Sequence, residues 1–167
     1  FEDVPNHSQP PRGWDYIGPQ NETPPDVHPS RNGGEFKVFI KADHGKTYIG
    51  MVTRDNDTWE AVGQQLSSPL QKGQWYKFDI ALAQSPMYKS YSRVRGEADL
   101  YNIPIVLNIW GADEESKRSQ LLAQSVPIDH EPWQTYTFYL QPDDNHEYIV
   151  LEAYYADGHQ YPYCGNI

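Results

Sequence analysis

Trp59 and Trp110 are the residues of this chain best suited to chemistry with a small polar ligand. Trp59 follows the charged stretch Arg54-Asp55-Asn56-Asp57 and directly precedes Glu60, and Trp110 lies two residues beyond Asn108. A flat indole face stacks on the C–H face of a sugar, while guanidinium, amide and carboxylate groups bond its hydroxyls. Trp59 and Trp110 are therefore candidate stacking platforms, with Arg54, Glu60 and Asn108 as candidate hydrogen-bonding partners. Packing inside the fold is the competing reading for both indoles. Trp14 and Trp133 read as core or edge plugs.

Other chemistries find less support. The chain contains no Gly-rich phosphate loop, no HExxH and no GxSxG nucleophile elbow. A glycosidase needs two carboxylates at a suitable separation, and Glu60, Asp79 and Glu152 all fall in expected strands, where each charge is expected to face solvent or a cleft. The histidines at 7, 28, 44, 130, 146 and 159 include no i,i+2 or i,i+4 pair, which argues against a histidine-based metal site. Asp55-Asn56-Asp57 offers hard oxygens for calcium, or simply makes a polar hairpin turn. The single cysteine, Cys164, excludes an internal disulfide.

These side chains need a scaffold, and the sequence points to strands. The 167 residues suit one domain. The first 34 are rich in Pro, Asn, Asp and Gly, which forbids a helix, yet Trp14, Tyr16 and Ile17 sit among them. That segment is expected to lie extended and pinned across a β-fold. Strands are expected at 36–40, 47–53, 59–66, 75–82, 104–110, 133–140 and 147–155. The period-2 pattern is strongest in Tyr76, Phe78, Ile80 and Leu82, in Tyr136, Phe138 and Leu140, and in Ile105, Leu107 and Ile109. Val106, Asn108 and Trp110 then share the opposite face. One short helix is expected within 111–124, where Asp113 can cap and the acids precede Lys117 and Arg118. The class is all-β, an antiparallel sandwich.

The net charge of −10, from 13 basic and 23 acidic residues, argues against binding nucleic acid or an anionic membrane. No run of apolar residues is long enough to cross a bilayer as a helix. Aromatics at 14% argue against disorder. Phe1-Glu2-Asp3 reads as a mature or trimmed start.

The order of short motifs resembles galactose-binding-like jelly rolls, a superfamily that includes many carbohydrate-binding modules. The residues concerned are Phe1-Glu2-Asp3-Val4-Pro5, Gly13-Trp14, Gly45-Lys46-Thr47-Tyr48-Ile49-Gly50 and Trp133-Gln134-Thr135-Tyr136-Thr137-Phe138. More closely, the chain is similar to a secreted module of Bacteroidota surface and cargo proteins. That likeness rests on Thr23-Pro24-Pro25-Asp26, Thr58-Trp59-Glu60, Ile109-Trp110-Gly111, Glu152-Ala153-Tyr154-Tyr155 and Gly165-Asn166-Ile167. It implies a single jelly-roll module over 1–167 in an exported or cell-surface bacterial protein. The implied function is non-catalytic binding of an oligo- or polysaccharide, without membrane insertion and with neighbouring domains as further partners. A structural or adhesive module is the alternative, and a small glycan-active hydrolase the third reading. The resemblance also implies one structural calcium near Glu2 and the Asp43–Thr47 turn, with Asp43 and Thr47 as further donors. Two departures from the pattern stand out. Cys164 occupies a position where Asn is expected, and the acidic residue that completes the calcium site in the superfamily does not follow Ile167.

Overall fold

A computed structural model of the chain describes residues 3–30, 34–113 and 117–167, with Glu35 described by its backbone alone. The described residues form an all-β antiparallel sandwich. In chain order the strands are β1 (Asp15–Tyr16), β2 (Asp26–His28), β3 (Tyr48–Gly50), β4 (Val52–Arg54), β5 (Thr58–Trp59), β6 (Ala61–Leu70) and β7 (Tyr76–Leu82). They continue with β8 (Lys89–Tyr91), β9 (Ala98–Leu100), β10 (Ile105–Ala112), β11 (Arg118–Gln124), β12 (Gln134–Leu140), β13 (His146–Tyr155) and β14 (Gly165–Asn166). The main sheet runs β1-β6-β13-β10-β11, and a two-stranded sheet β12-β7 packs on it.

The alternation expected for the long strands sets the core. Ile105, Leu107 and Ile109 of β10, Val62 of β6, and Ile149, Leu151 and Ala153 of β13 face Leu82 and Leu140. Tyr76, Phe78, Ile80, Tyr136 and Phe138 pack against that cluster from β7 and β12. Their register, Phe138 opposite Phe78 and Tyr136 opposite Ile80, puts all five on one face. The Pro-rich start is pinned as expected. β1 pairs with β6, β2 with β3, and Asn6 bridges to Val27.

Four expectations need correction. Residues 36–40 are not a strand: Glu35–Lys37 is a 3-10 turn, and Phe36 and Lys37 have φ of 50° and 62°, a left-handed backbone that no strand accommodates. Phe36 instead stacks on Tyr88 at 5.2 Å. The stretch 47–53 breaks at Met51, whose backbone turns away to exchange two 3.0 Å bonds with Ile167. β6 continues through Pro69 to Leu70, since β1 covers β6 only at Val62 and Gly63 and Pro is tolerated on an edge.

The helix expected within 111–124 gives way to the hairpin of β10 and β11, with 114–116 outside the described residues. β10 is buried, and without β11 the backbone groups on its outer edge would lose their partners. That requirement outweighs a favourable charge order worth about 1 kcal/mol at a helix end.

His28 occupies the seam between β2 and β3. It is 2% exposed, stacks on Tyr48 at 5.5 Å, and neither ring nitrogen has a hydrogen-bond partner. Gly50 makes room for it, because a Cβ there would lie 2.8 Å from the imidazole Cδ2. Burial lowers the His28 pKa, with Asp26 opposing and His7 reinforcing the shift. The folded protein thus keeps a neutral ring. As pH falls below the ordinary histidine value of about 6.5, the unfolded state takes up the proton first and stability drops. We predict that His28→Phe raises stability by about 1 kcal/mol by removing two unsatisfied nitrogens, and flattens the acid limb of urea-unfolding stability below about pH 6.5. An unchanged acid limb would contradict this account.

Candidate functional site

The site grows from one residue on the outer face of the main sheet. Glu152 sits on β13, a central strand, opposite Asn108 of β10 on one side and Ala61 of β6 on the other. It is 1% exposed. A carboxylate so enclosed must be neutralised and fully bonded. Asn108 Nδ2 donates to Oε2 at 3.0 Å, Trp110 Nε1 donates to the same oxygen at 2.7 Å, and Arg118 Nη1 donates to Oε1. Asn108 in turn accepts a 2.8 Å bond from Gln124 Nε2.

The local sequence explains the convergence. Period-2 alternation puts Asn108 and Trp110 on one face of β10. The β10–β11 hairpin places Arg118 opposite Ala112, on the edge strand, from which its long side chain reaches inward. Arg118 then lies over the Trp59 indole, Cζ 5.7 Å from the ring centroid, a cation–π contact. Trp59 packs edge-on against Tyr154 of β13 at 5.2 Å. Two half-buried indoles, a tyrosine and a one-third-exposed guanidinium therefore surround one enclosed carboxylate. Such an arrangement offers aromatic faces beside a fixed hydrogen-bonding group. The buried Trp59 indole N–H has no partner.

Of the five candidate ligand residues, the structure joins Trp59, Trp110 and Asn108 through Glu152 and Arg118. Arg54 and Glu60 stand apart. Arg54 ends β4, Glu60 precedes β6, and each is under 5% exposed. They pair with each other, and Glu60 Oε2 also accepts the Val52 amide at 3.1 Å. Arg54 reaches Thr23 Oγ1 at 3.0 Å and Glu22 at 3.6 Å, tying in the Pro-rich segment. Burial pushes Glu60 well above the usual carboxylate range, against the pull of Arg54.

The expectation that strand carboxylates face solvent or a cleft thus holds for Asp79 alone. Glu60 and Glu152 are buried against arginines, and Asp79 lies exposed, bonded to Lys77 at 2.7 Å. Sequence reasoning missed Arg118 because that residue sat in the expected helix. It weighed Glu152 only as a hydrolytic candidate. The signal available was the arginine itself, since a buried strand carboxylate requires a cation.

Among the candidate metal ligands, Glu2 lies outside the described residues. Asp43 Oδ2 lies 2.6 Å from His44 Nδ1, and Thr47 Oγ1 accepts the Asp3 amide at 3.1 Å. The Asp55–Asp57 stretch is the turn between β4 and β5, with Asp57 at φ 60° as a three-residue hairpin loop demands. Its oxygens are engaged: Asp55 takes Ser92 Oγ and the Arg93 amide, and Asp57 takes the Tyr161 hydroxyl. Among the described residues, the group whose ligating atoms lie within 4.8 Å of one another is Asp55, Asp99 and Cys164. Arg95 already pairs with Asp99, and burial raises the Cys164 thiol to about 11, so this cluster is satisfied as a hydrogen-bonding network.

Glu152→Gln keeps one oxygen acceptor but replaces the other with an N–H₂ group, which would face either Arg118 or the Asn108 and Trp110 donors. We predict a loss of about 2–3 kcal/mol, at or below the usual cost of breaking a buried pair because Arg118 is partly exposed. Arg118→Met should cost at least as much, because it leaves the enclosed Glu152 carboxylate without its cation even though the replacement chain still packs on Trp59. Urea unfolding of both variants checks this, and a Glu152→Gln variant as stable as the parent would contradict it.

No protein-family model matches the chain and no curated protein matches it, so the functional reading rests on these residues and their geometry.

Proposed function

We propose that the chain is a non-catalytic glycan-binding module of an exported or surface-exposed bacterial protein. The observation that carries this reading is the linkage of Trp110, on the outer face of the main sheet, to Trp59 of the neighbouring β5 through Glu152 and Arg118. Saccharide recognition uses such a combination. Rings stack on the sugar, and rigidly held polar groups select its hydroxyls with little ordering cost. Arg118, itself held by Glu152, offers its remaining N–H groups as donors. In this reading Arg54 and Glu60 support the site as scaffold.

The hydrolase reading loses ground, because Glu60, Asp79 and Glu152 are each committed to a cation. The adhesive-module reading draws on another surface. Trp75 and Tyr139 are 65% and 66% exposed beside β7 and on β12.

A glycan array followed by calorimetry tests the proposal. Trp110→Ala is expected to weaken binding at least about tenfold, equal to ~1.4 kcal/mol. Arg118→Gln should weaken it comparably, and Trp75→Ala should leave it intact. An array without a hit, or affinity lost with Trp75 alone, would overturn the reading.

The calcium implied by the resemblance remains part of this proposal, held by Glu2 with oxygens of the Asp43–Thr47 turn. A cation bound only to the folded state raises the melting temperature with its concentration. Melting curves should rise between EDTA and millimolar calcium, and Glu2→Gln should remove the shift. Coincident curves for the parent chain would refute it.

A further inference from the structure

The β12-β7 pair covers only part of the main sheet, and residues beside β3, β4 and β14, among them Ile49, Met51 and Ile167, pack on the same core. At strand spacings of ~4.8 Å, five strands span about 19 Å from first to last and two span about 5 Å. β12 lies toward the β11 side, where the two strands touch. β7 is then the strand of that pair nearest β6, whose Gln64, Leu66 and Leu70 line a cleft with it. β7 pairs with β12 on one edge, and among the described residues no strand pairs with the other. The ladder between β7 and β12 runs without a register shift, and β7 contains no proline. Folds commonly blunt an open edge with a bulge, a proline, a short strand or charged side chains, and the charges of β7, Lys77 and Asp79, pair with each other. β7 has seven residues and neither of the first two features.

Two clefts follow this edge. One, of about 400 Å³, lies between β7 and β6 and is walled by Trp14 and Leu66. The other, of about 280 Å³, continues past the end of β7 toward Tyr48 and Trp133. They share Asp79, Ile80 and Leu151, so they adjoin along β7, and the two together are termed the furrow. The first is lined by Tyr76, Lys77, Phe78, Asp79 and Ile80, and the second by each residue from Asp79 to Ala83. A cleft over the face of a strand touches every second residue. A run of consecutive residues means that the furrow follows the backbone edge.

We propose that this furrow is the docking site for an extended segment of a partner protein, which adds to β7 as a further strand. Three features define the occupant. The open backbone edge calls for a β-strand, since a lipid tail or an apolar small molecule cannot pair with peptide groups. The apolar floor, which includes Leu151 and Ile80, calls for apolar side chains at alternate positions. The charge calls for basic residues at the intervening positions. The chain carries −10, and among the described residues two aspartates, Asp43 and Asp79, line the furrow against one lysine, Lys77, which the Asp79 pair consumes. This surface lies between the sheets, apart from the outer face that carries Trp110 and Glu152, so the inference stands independently of glycan binding.

Amide hydrogen exchange by NMR tests it, with a synthetic peptide of alternating valine and lysine as long as β7. Every second β7 amide, those directed away from β12, should exchange at least about tenfold more slowly with peptide present. The same peptide N-methylated at alternate residues should give no protection. Leu66→Lys, a change at a half-buried furrow wall, should abolish the effect while β13 amides stay protected. Unchanged β7 exchange at millimolar peptide would overturn the proposal. So would equal protection by the N-methylated peptide or by dodecylamine, which would mark an apolar site without strand pairing. Concentration-dependent dimerisation that already protects β7 in the free protein would overturn it in favour of a second copy as occupant.

Discussion

A carboxylate enclosed in the middle of a β-sheet is the constraint around which the outer face of this protein is arranged. Glu152 is enclosed on a central strand, and removing such a group from water costs several kcal/mol unless partners replace the lost hydration. Each neighbour follows from that requirement. Ala61 opposite leaves room for the carboxylate, Asn108 and Trp110 donate from the adjacent strand, and Arg118 supplies the charge. Arg118 can do so because its segment pairs with β10 as an edge strand. The same guanidinium then fixes Trp59. A structural demand for neutralisation thereby gathers aromatic and polar groups into one surface.

The same economy appears elsewhere. Arg54 and Glu60 form a second buried pair, and Arg54 extends it to Glu22 and Thr23, so the Pro-rich segment is held by charge as well as by strand pairing. The thirteen tyrosines, numerous for a chain poor in aliphatics, prove to be loop clamps in several cases. Tyr155 donates to the Arg54 carbonyl at 2.5 Å, Tyr163 to Pro104 at 2.9 Å, Tyr101 to Tyr91 at 2.6 Å and Tyr48 to Ile40 at 2.9 Å. Their rings fill the core while their hydroxyls bond backbone carbonyls in loops and at strand ends. The aromatic excess thus has a structural origin in the tyrosines, and the ligand-binding argument narrows to the indoles.

Strands whose two faces differ were legible in the sequence. Tyr76 to Leu82, Tyr136 to Leu140 and Ile105 to Trp110 alternate cleanly, and alternation alone put Asn108 and Trp110 on one face. The segments that failed take their structure from distant partners. Arg118–Gln124 has a helical charge order but closes the edge of β10. Phe36 and Lys37 have strand-like neighbours, yet Phe36 turns to stack on Tyr88. β8 and β9, a short hairpin with mixed side chains, left no periodic signal. Arg54 and Glu60 are close enough in sequence to suggest a shared site, but their burial depends on packing from the Pro-rich segment that local pattern does not encode. The pairing of Glu152 with Arg118 needed the register across β13, β10 and β11, and register is a tertiary property.

Fluorine NMR of the protein labelled with 5-fluorotryptophan tests the central claim most directly, since each of the five tryptophans reports separately. On titration with an oligosaccharide that binds, the account predicts that the Trp59 and Trp110 resonances shift together along a single binding curve while Trp75 stays in place. Shifts confined to Trp75 or Trp133, or separate curves for Trp59 and Trp110, would contradict it.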